Sequence, residues 1–523
     1  MSILRPRAWS QSLWVLLASV LLLSACGVNP VTGKREFQLV SEAQEIEIGE
    51  ENYLFARQAQ GGEYSVDPTL SAYVSEVAAR LAAVSDRPEL PYEFVVINDS
   101  TPNAWALPGG KIAVNRGLLS ELDSEAELAA VLAHEIVHAA ARHGAKGMER
   151  GIALQAGVFA VGAAVAGGDH PQYADLAVGA ASLASNLIHS KYGRGAELEA
   201  DRYGMEYMAR AGYDPAAAVD LQQTFVRLAE GGERSWLAGL FASHPPSQER
   251  VAANRDTAAS LGSGERHRER YQRMIADLKR VAPAYAKFQQ GREALAKGEF
   301  ERAYALAGGA IAIEPREAHF YSLLGDARLG QKRYGDAVEH YDQALARNDQ
   351  FYYYYRQRGL ARQELNDPSG ARADLQKSLT LLPTELAHYA LGNLALANDQ
   401  ASVALAHFRA AAGQKSEVGR QAYAQLARLD LAENPDRYLQ VQAAVDGRGR
   451  VMLRVGNRSP VAVGDVVVHV GAFDPSGRLL ARERVRVPGT VAAGQARVLA
   501  TGLSAGAAVG GVRAVVVQAR VAR

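Results

Sequence analysis

The amino-acid sequence predicts a multidomain protein: a mainly α-helical domain with a small β-sheet, then an α-solenoid of short repeats, then a small antiparallel β-sandwich. Three observations predict this order. Helical periodicity dominates from about residue 41 to 280, small residues recur every 33 or 34 positions between 284 and 432, and Val-rich alternation fills residues 436–523. The length of 523 residues also suits three or four domains better than one.

Composition excludes two kinds of function. The 57 basic residues equal the 57 acidic residues in number, so the chain lacks the overall positive charge on which nucleic-acid binding depends, and we expect no nucleic-acid partner. The single cysteine, Cys26, excludes a disulfide framework and a Cys-based zinc site. Any metal must therefore be bound by histidines and carboxylates.

The first 26 residues have the features of an export signal. Arg5 and Arg7 precede the apolar stretch Leu13 to Leu23, which is too short for a comfortable membrane span. The stretch leads into Leu-Ser-Ala-Cys-Gly around Cys26, which resembles a bacterial lipobox; a plain signal peptide with a chance cysteine is the alternative. The resemblance implies lipidation of Cys26 and, because Gly27 follows it, retention at the outer membrane. We expect a lipid-anchored periplasmic protein.

The first domain follows a turn-rich linker at residues 27–40. Ser41 and Gln44 form a capping-box pattern that opens a helix. Alternating apolar residues at Tyr92–Ile97 and Lys111–Val114 predict two short strands joined by a Pro- and Gly-bearing segment. Helices are predicted for most of the remaining domain.

From residue 284 the sequence repeats with a fixed period. Two sets of small residues keep the register over four units: Gly291, Gly325, Gly359 and Gly392, and Ala303, Ala337, Ala371 and Ala404. This period predicts tetratricopeptide repeats, which stack because one helix pair cannot bury its own apolar face. An unrelated helical bundle is the alternative. We expect the concave surface of the repeats, at residues 284–432, to bind protein partners.

The last 88 residues, 436–523, change to short Val-rich segments broken by Gly, Pro, Asn and Asp. Six or seven such segments predict a small antiparallel sandwich. No chemistry is visible there. Arg482, Arg484 and Arg486 alternate along one predicted strand, and we interpret them as a solvated strand face.

The central motif is a His-Glu-Ile-Val-His sequence in a predicted helix that Ser124 and Glu127 cap. Residues four apart share a helix face, so His134 and His138 can present two imidazoles to one ion. Glu135 lies on the flank of that face. From there its carboxylate can act as a general base on a metal-bound water without ligating the metal.

A catalytic zinc usually takes a third protein ligand and keeps one position open to water. The best candidate is Glu197, which shares a predicted helix face with Asp201. Asp201 can then accept a hydrogen bond from a ligand imidazole and fix its tautomer. Alone, this acidic segment would be interpreted as solvated surface, but the histidine motif favours the metal site.

These motifs resemble a known family. The His134 motif, the Glu-Leu-Glu-Ala-Asp motif that starts 59 residues after His138 at Glu197, and the Asn-Ala-Trp-Ala-Leu-Pro-Gly-Gly segment at Asn103 resemble the HtpX-type zinc metallopeptidases. An exported catalytic domain followed by tetratricopeptide repeats resembles the BepA-like periplasmic metalloproteases. The resemblance covers residues 29 to about 430. The sandwich and the lipobox depart from it.

The resemblance implies a zincin-like metallopeptidase domain at residues 41–280 with one zinc ion per chain. It makes Glu135 the general base and assigns three zinc ligands: His134, His138 and Glu197. In the family the repeats engage the outer-membrane protein assembly machinery. The resemblance therefore implies cleavage of misassembled outer-membrane proteins, or assistance in their maturation.

Further residues have narrower expected roles. His244 matches a His-Pro motif whose histidine in relatives can occupy the open zinc position and keep the protease latent; an ordinary loop histidine is the alternative. Arg250 is predicted to contact an oxyanion or a carboxylate. His143 and His189 are interpreted as structural or exposed. An exposed strand edge is predicted to pair with extended substrate, and its residues are Asn103, Ala104, Trp105 and Ala106.

Three hypotheses about function remain. The first is a zinc endopeptidase of the cell envelope that cleaves unfolded or misassembled polypeptides. The second is a non-catalytic chaperone or assembly scaffold with a latent zinc site. The third is a membrane-embedded protease that uses the apolar residues 151–168, for which a packed helical hairpin is the alternative. The intact set of ligands and base favours the first.

Overall fold

The computed structural model describes residues 26–151, 192–230, 244–413, 415–506 and 508–522. The predicted signal peptide before Cys26, the apolar segment after Gly151 and His189 lie outside the described residues. The chain divides into two compact units, one ending at Ala361 and one beginning at Arg362. Within the described ranges, no helix combines the length and apolar character that crossing a membrane requires.

The first unit holds the small sheet and most of the helices. Its strands are β1 Cys26–Val28, β2 Arg35–Phe37, β3 Glu93–Ile97, β4 Ala104–Leu107 and β5 Lys111–Asn115. Its main helices are α1 Glu42–Ala59, α2 Pro68–Ala82, α3 Arg116–Leu119, α4 Glu125–Ala140, α5 Arg194–Arg210, α6 Ala216–Glu230, α7 Gln248–Leu261, α8 Arg268–Met274, α9 Ala276–Ala296, α10 Phe300–Ile311, α11 Ala318–Gly330, α12 Tyr334–Leu345 and the start of α13 Tyr352–Glu364.

The sheet has the strand order β3-β5-β4, with β5 parallel to β3 and antiparallel to β4. Strands β3 and β5 are those that the sequence predicts, whereas β4 lies in the segment predicted to connect them. Ala104 and Ala106 of β4 pack in the main core, and Trp105 and Leu107 pack in a second core with Tyr53. Because both faces of β4 are buried, no alternation of polar and apolar residues marks it in the sequence.

The core of the first unit continues from helices α4 and α5 into the first repeats. One buried cluster includes Ile136 of α4, Tyr207 of α5 and Phe320 of α11. Gln58 at the end of α1 also contacts the repeats: its Nε2 donates to the Gln350 carbonyl at 2.7 Å, and its Oε1 accepts from the Tyr352 amide at 2.8 Å.

The repeats place their small residues where helices cross. The four register alanines are fully buried. A Cβ added to Gly325 would lie 2.6 Å from the ring of Tyr341, and one added to Gly392 would lie 2.6 Å from the ring of Phe408. These contacts explain why the period is carried by glycine and alanine, since a larger side chain would separate the helices.

The second unit contains the remaining repeats and the C-terminal β-domain. Its helices are α14 Pro368–Leu381, α15 Glu385–Ala397, α16 Ala401–Ala411 and α17 Glu417–Asp430. Its strands are β6 Leu439–Val445, β7 Arg450–Asn457, β8 Val463–Phe473, β9 Leu479–Arg486, β10 Ala496–Ser504 and β11 Gly511–Val521. They form two antiparallel sheets, β10-β7-β6 and β11-β8-β9, which share one core of buried valines and leucines. The predicted fold class is confirmed.

Candidate metal centre

Helix α4 positions the first two candidate ligands. Ser124 caps the helix by accepting a hydrogen bond from the Glu127 amide at 3.2 Å, and the apolar face of the helix is buried in the core. The Nε2 atoms of His134 and His138 lie 3.0 Å apart on one face, as the four-residue spacing predicts.

Helix α5 brings the third candidate ligand to the same place. A Cβ added to Gly204 would lie 3.2 Å from the His134 amide nitrogen, so glycine allows α5 to pack closely against the backbone of α4. Glu197 lies about two turns before Gly204 on α5. Its Oε1 is 3.4 Å from His138 Nε2, and its Oε2 is 3.6 Å from His134 Nε2.

His244 completes the group. It precedes α7 and is buried, and its Nδ1 lies 3.2 Å from His134 Nε2 and 3.2 Å from Glu197 Oε1. One ligand atom from each of four residues lies within 4.8 Å of the other three; the residues are His134, His138, Glu197 and His244. Three imidazole nitrogens and one carboxylate oxygen are a donor set that suits zinc. The residues present therefore fit the ion.

Hydrogen bonds fix the tautomers of both helix histidines. Asp201 Oδ1 lies 2.9 Å from His134 Nδ1, and an ionised carboxylate can only accept, so Nδ1 carries the proton and Nε2 keeps its lone pair. His138 Nδ1 lies 2.8 Å from His143 Nδ1, whose other nitrogen lies 3.1 Å from Glu199 Oε1. His143 Nε2 donates to the Glu199 carboxylate, so His143 Nδ1 has no proton and accepts from His138 Nδ1. His138 Nε2 therefore keeps its lone pair.

Arg250 holds the two carboxylates of α5 in place. Its Nε and Nη2 each donate to Asp201 at 2.7 Å, and its Nη1 lies 3.0 Å from Glu197 Oε2. Burial alone would raise the pKa of Asp201, but hydrogen bonds from Arg250 and His134 lower it to about 2. Nη1 also donates to the Pro245 carbonyl at 3.2 Å. The substrate contact expected of Arg250 stays a prediction, since these protein groups occupy its donors here.

Glu135 lies beside the cluster in an apolar setting. It is buried, and burial raises its pKa above the ordinary value, against the nearby charges of His244 and His134. Within the described part of the chain, its Oε2 has no hydrogen-bond partner, although Oε1 lies 3.4 Å from His244 Nε2. A buried carboxylate oxygen without a partner is costly, and a water at the centre would satisfy it.

The charges of the cluster balance one another. Burial lowers the pKa of His138 well below its usual value. Burial opposes ionisation of Glu197 as well, but its contacts with the His138 and His244 imidazoles outweigh burial and lower the pKa of Glu197. For His244 the charge of Glu135 and the hydrogen bond with Glu197 outweigh burial and raise the pKa.

The expected substrate edge is placed differently from the prediction. Strand β4 is at the edge of its sheet, but Asn103 and the three residues that follow are buried, none more than 5% exposed. The edge is therefore not exposed in this structure, because β4 is packed between two cores, and its pairing with substrate stays a prediction. The cavity next to Ala104, Glu135 and His244 measures about 60 Å³. That volume holds water but not a peptide.

Sequence reasoning missed three residues at the site. His143 and Glu199 support His138, whereas His143 was predicted to be structural or exposed and no role was predicted for Glu199. Tyr192 stacks on the His138 ring, with centroids 3.9 Å apart and planes 18° apart. The one available signal was that Glu199 belongs to the same acidic segment as Glu197 and Asp201, which were predicted to contact the metal and a histidine.

Comparison with known proteins identifies a family for this chain. Residues 68–258 match the model of peptidase family M48. The metalloprotease LoiP of Escherichia coli is 30% identical over 37% of this chain and 75% of its own length, and the beta-barrel assembly-enhancing protease of the same species is 26% identical over 59% of this chain and 68% of its own length. A tetratricopeptide protein of Thermus thermophilus covers 39% of this chain and 98% of its own at 20% identity, with a TM-score of 0.27.

The chain belongs to peptidase family M48, a family of metallopeptidases. The family resemblance predicted from the sequence is confirmed. The alignments with the first two curated relatives cover 40% and 63% of those proteins, so the chain spans less than two thirds of their length.

Proposed function

We propose that this chain is a zinc-dependent endopeptidase of the bacterial cell envelope, which cleaves unfolded or misassembled proteins and carries its catalytic site within residues 41–280. The observation that carries the proposal is the unpaired, buried Oε2 of Glu135 beside four converging ligand atoms. A structural zinc site has no need of such a group, because its four ligands close the coordination sphere. The proposed zinc ligands are His134, His138 and Glu197.

The residues of the chain divide the chemistry between them. Bound zinc supplies Lewis acidity, which polarises the scissile carbonyl and lowers the pKa of a water molecule. Glu135 accepts the proton of the attacking water and then passes it to the leaving amine. Burial raises the pKa of Glu135, which favours its taking up the proton from the attacking water. Asp201 and Glu199, the latter through His143, hold the two imidazoles in register.

His244 is proposed to keep the resting enzyme latent. Its imidazole lies between Glu135 and Glu197 and contacts His134, so it fills the space that a peptide carbonyl would need at the metal. The small cavity and the buried β4 edge agree with a closed state. Substrate entry then requires His244 to leave, after which β4 could pair with an extended peptide.

Location and partners belong to the same proposal. The lipobox-like sequence supports lipid attachment at Cys26 and a periplasmic location at the outer membrane. The relatives named as beta-barrel assembly-enhancing proteases support partners in outer-membrane protein assembly. The repeats offer the surface on which such partners would bind.

A chaperone or assembly scaffold is the second candidate function. The closed centre favours it, because neither the 60 Å³ cavity nor the buried edge admits a peptide in this state. In that case the repeats would bind partners while the metal site stayed latent.

Zinc content and hydrolysis of casein test the two candidates together. We compare the wild type with Glu135→Gln and His244→Ala. The peptidase proposal predicts about one zinc per chain in all three proteins, cleavage by the wild type or by His244→Ala, and no cleavage by Glu135→Gln. Greater activity in His244→Ala would support latency. Zinc binding without cleavage by any of the three would favour the scaffold.

A further inference from the structure

The C-terminal β-domain has a charge unlike that of the chain as a whole. Residues 436–523 contain 13 arginines, no lysine and five acidic residues, a net charge of +8 in a chain whose total is zero. A domain with such a charge attracts anionic surfaces. The metal centre and the repeats do not explain this feature.

The sheet β11-β8-β9 gathers four of these arginines on its outer face. Directly paired residues lie on the same side of a sheet. Gly471 of β8 pairs with Arg482 of β9 on one side and with Arg513 of β11 on the other. Arg484 and Arg486 follow Arg482 at alternate positions of β9, so they share its face. We call this set, Arg482, Arg484, Arg486 and Arg513, the arginine face.

The arginine face lacks the counter-charges that other arginines of the domain have. Arg450 pairs with Asp446 and Arg478 with Asp474. Among the described residues, no carboxylate lies within 4.0 Å of the four guanidinium groups. Glu483, between two of them in sequence, points to the opposite side, where it accepts from the Gly502 amide at 2.7 Å.

Apolar side chains are exposed among these arginines. Val515, paired with His469, is 59% exposed, and Val517 is 44% exposed. Arg513 lies over the Phe473 ring, with Cζ 5.0 Å from its centroid. The outer face of the other sheet differs, because Arg450 there is paired with Asp446 and Arg454 lies between Gln442 and Val498.

We infer that the arginine face docks the β-domain on an anionic lipid membrane, with the guanidinium groups on lipid phosphates and the valines at the headgroup boundary. Arginine can form two parallel hydrogen bonds with one phosphate, which lysine cannot. Phosphate is therefore a suitable ligand for a domain whose basic residues are all arginines. Exposed valines beside cationic groups match surfaces that lie in the membrane interface, where apolar side chains enter and cations stay with the headgroups.

Co-sedimentation with vesicles tests the inference. The chain from residue 26 onward carries Cys26→Ser, so that neither an acyl chain nor the apolar stretch Leu13 to Leu23 contributes to binding. The vesicles are phosphatidylcholine with or without phosphatidylglycerol. We expect binding only with phosphatidylglycerol, weakened by salt. The variant Arg482→Gln/Arg484→Gln/Arg513→Gln should bind about 100-fold more weakly, since each arginine near an anionic surface contributes about fivefold. Replacing the same three arginines with lysine should preserve most of the binding.

The matched control is Arg448→Gln/Arg454→Gln/Arg458→Gln, which removes the same charge from exposed positions off the arginine face. It should bind nearly as well as the parent chain. Equal losses in both triple variants would overturn the inference, because overall charge would then be sufficient. Failure of the parent chain to prefer phosphatidylglycerol would also overturn it. If the arginine face instead proved necessary for binding poly-glutamate but not vesicles, an acidic polypeptide would be the partner.

Discussion

Two histidine pairs in this molecule have nearly the same spacing and different surroundings. At the metal centre the Nε2 atoms of His134 and His138 lie 3.0 Å apart. In the repeats the Nδ1 atoms of His388 on α15 and His407 on α16 lie 3.1 Å apart. The first pair has Glu197 in contact and carboxylates behind both rings. Within the described residues, the metal centre is the one group of three or more potential ligands that converge on a point.

The pKa values differ at the third imidazole of the metal centre, His244, and not at His138, whose pKa burial lowers as it does that of His388. Burial, together with the neighbouring His407, lowers the pKa of His388 to about 4, so both rings are held neutral without a compensating anion. At the metal centre Glu135 and Glu197 raise the pKa of His244 despite its burial. Proximity of imidazoles alone therefore does not make a metal site. A cation also needs an anionic ligand and acceptors that fix the tautomers.

Removing one imidazole from each pair should give the largest contrast. We expect His138→Ala to lose its bound zinc and all measurable casein hydrolysis, because the variant lacks one of the two imidazoles whose tautomers are fixed for the metal. His244 would have to take its place and would then stay at the centre. His388→Ala should keep one zinc per chain and the parent activity. Metal analysis after gel filtration and a casein assay measure both. Zinc retained by His138→Ala, or lost by His388→Ala, would refute the distinction.

Removal of zinc by a chelator should destabilise the metal centre and leave the His388–His407 pair unaffected. A ligand that binds only the folded state at 100 times its Kd adds about 2.7 kcal/mol to the free energy of unfolding. We expect removal of zinc to increase amide hydrogen exchange in α4 and α5 and to leave α15 and α16 unchanged. Mass spectrometry of peptides from these helices, with and without chelator, measures the effect. Added zinc should reverse it, and equal changes in both regions would contradict it.

The spacing of the ligands was predictable because helix geometry determines it. Residues 134 and 138 must share a face, and so must Glu197 and Asp201, whatever the rest of the fold. The support from His143 was not predictable. It follows a turn at Arg142, whose φ is 61° and whose guanidinium donates to Glu45 at 2.9 Å. A non-glycine residue in this conformation has no sequence signature, and its long-range partner holds it there.

The strand β4 escaped prediction for a related reason. Alternation of polar and apolar residues identifies strands that have one solvent-exposed face, whereas the two faces of β4 pack in separate cores. The repeats were easier, since their signal is a period and each unit packs on its neighbours. Helix geometry and sequence periodicity thus predicted the ligand spacing and the repeats. The positions of His143 and β4 depend on long-range packing, which the sequence pattern does not show.

Weakening the acceptors behind the rings should give a graded effect at the metal centre. Asp201→Asn keeps the shape of the side chain but removes the charge that fixes His134, and we expect the Kd for zinc to rise about 10- to 100-fold. Glu199→Gln should act in the same direction through His143. Competition with a zinc-binding dye measures the Kd. Asp446→Asn, in a turn of the β-domain, is the control, and an equal rise there would contradict the assignment.

The His388–His407 pair should respond to acid rather than to metal. The pKa of His388 is about 4 in the folded chain and about 6.5 in an unfolded one, so the unfolded state binds the proton first as the pH falls. The stability that the neutral pair contributes is complete above pH 6.5 and is lost as the pH falls towards 4. Two protonated rings at this distance would repel each other, which drives α15 and α16 apart.

Hydrogen exchange of the segment Glu385–Ala411 between pH 7 and pH 4, corrected with an unfolded reference peptide, measures this loss. We expect protection of α15 and α16 to fall in the wild type, with a much smaller change in His388→Gln, which removes one titrating ring. Strands β6 and β7, where there is no histidine, provide the internal control. If the variant lost protection to the same extent as the wild type, the pair would not be the acid-sensitive element, and the contrast with the metal centre would rest on ligand chemistry alone.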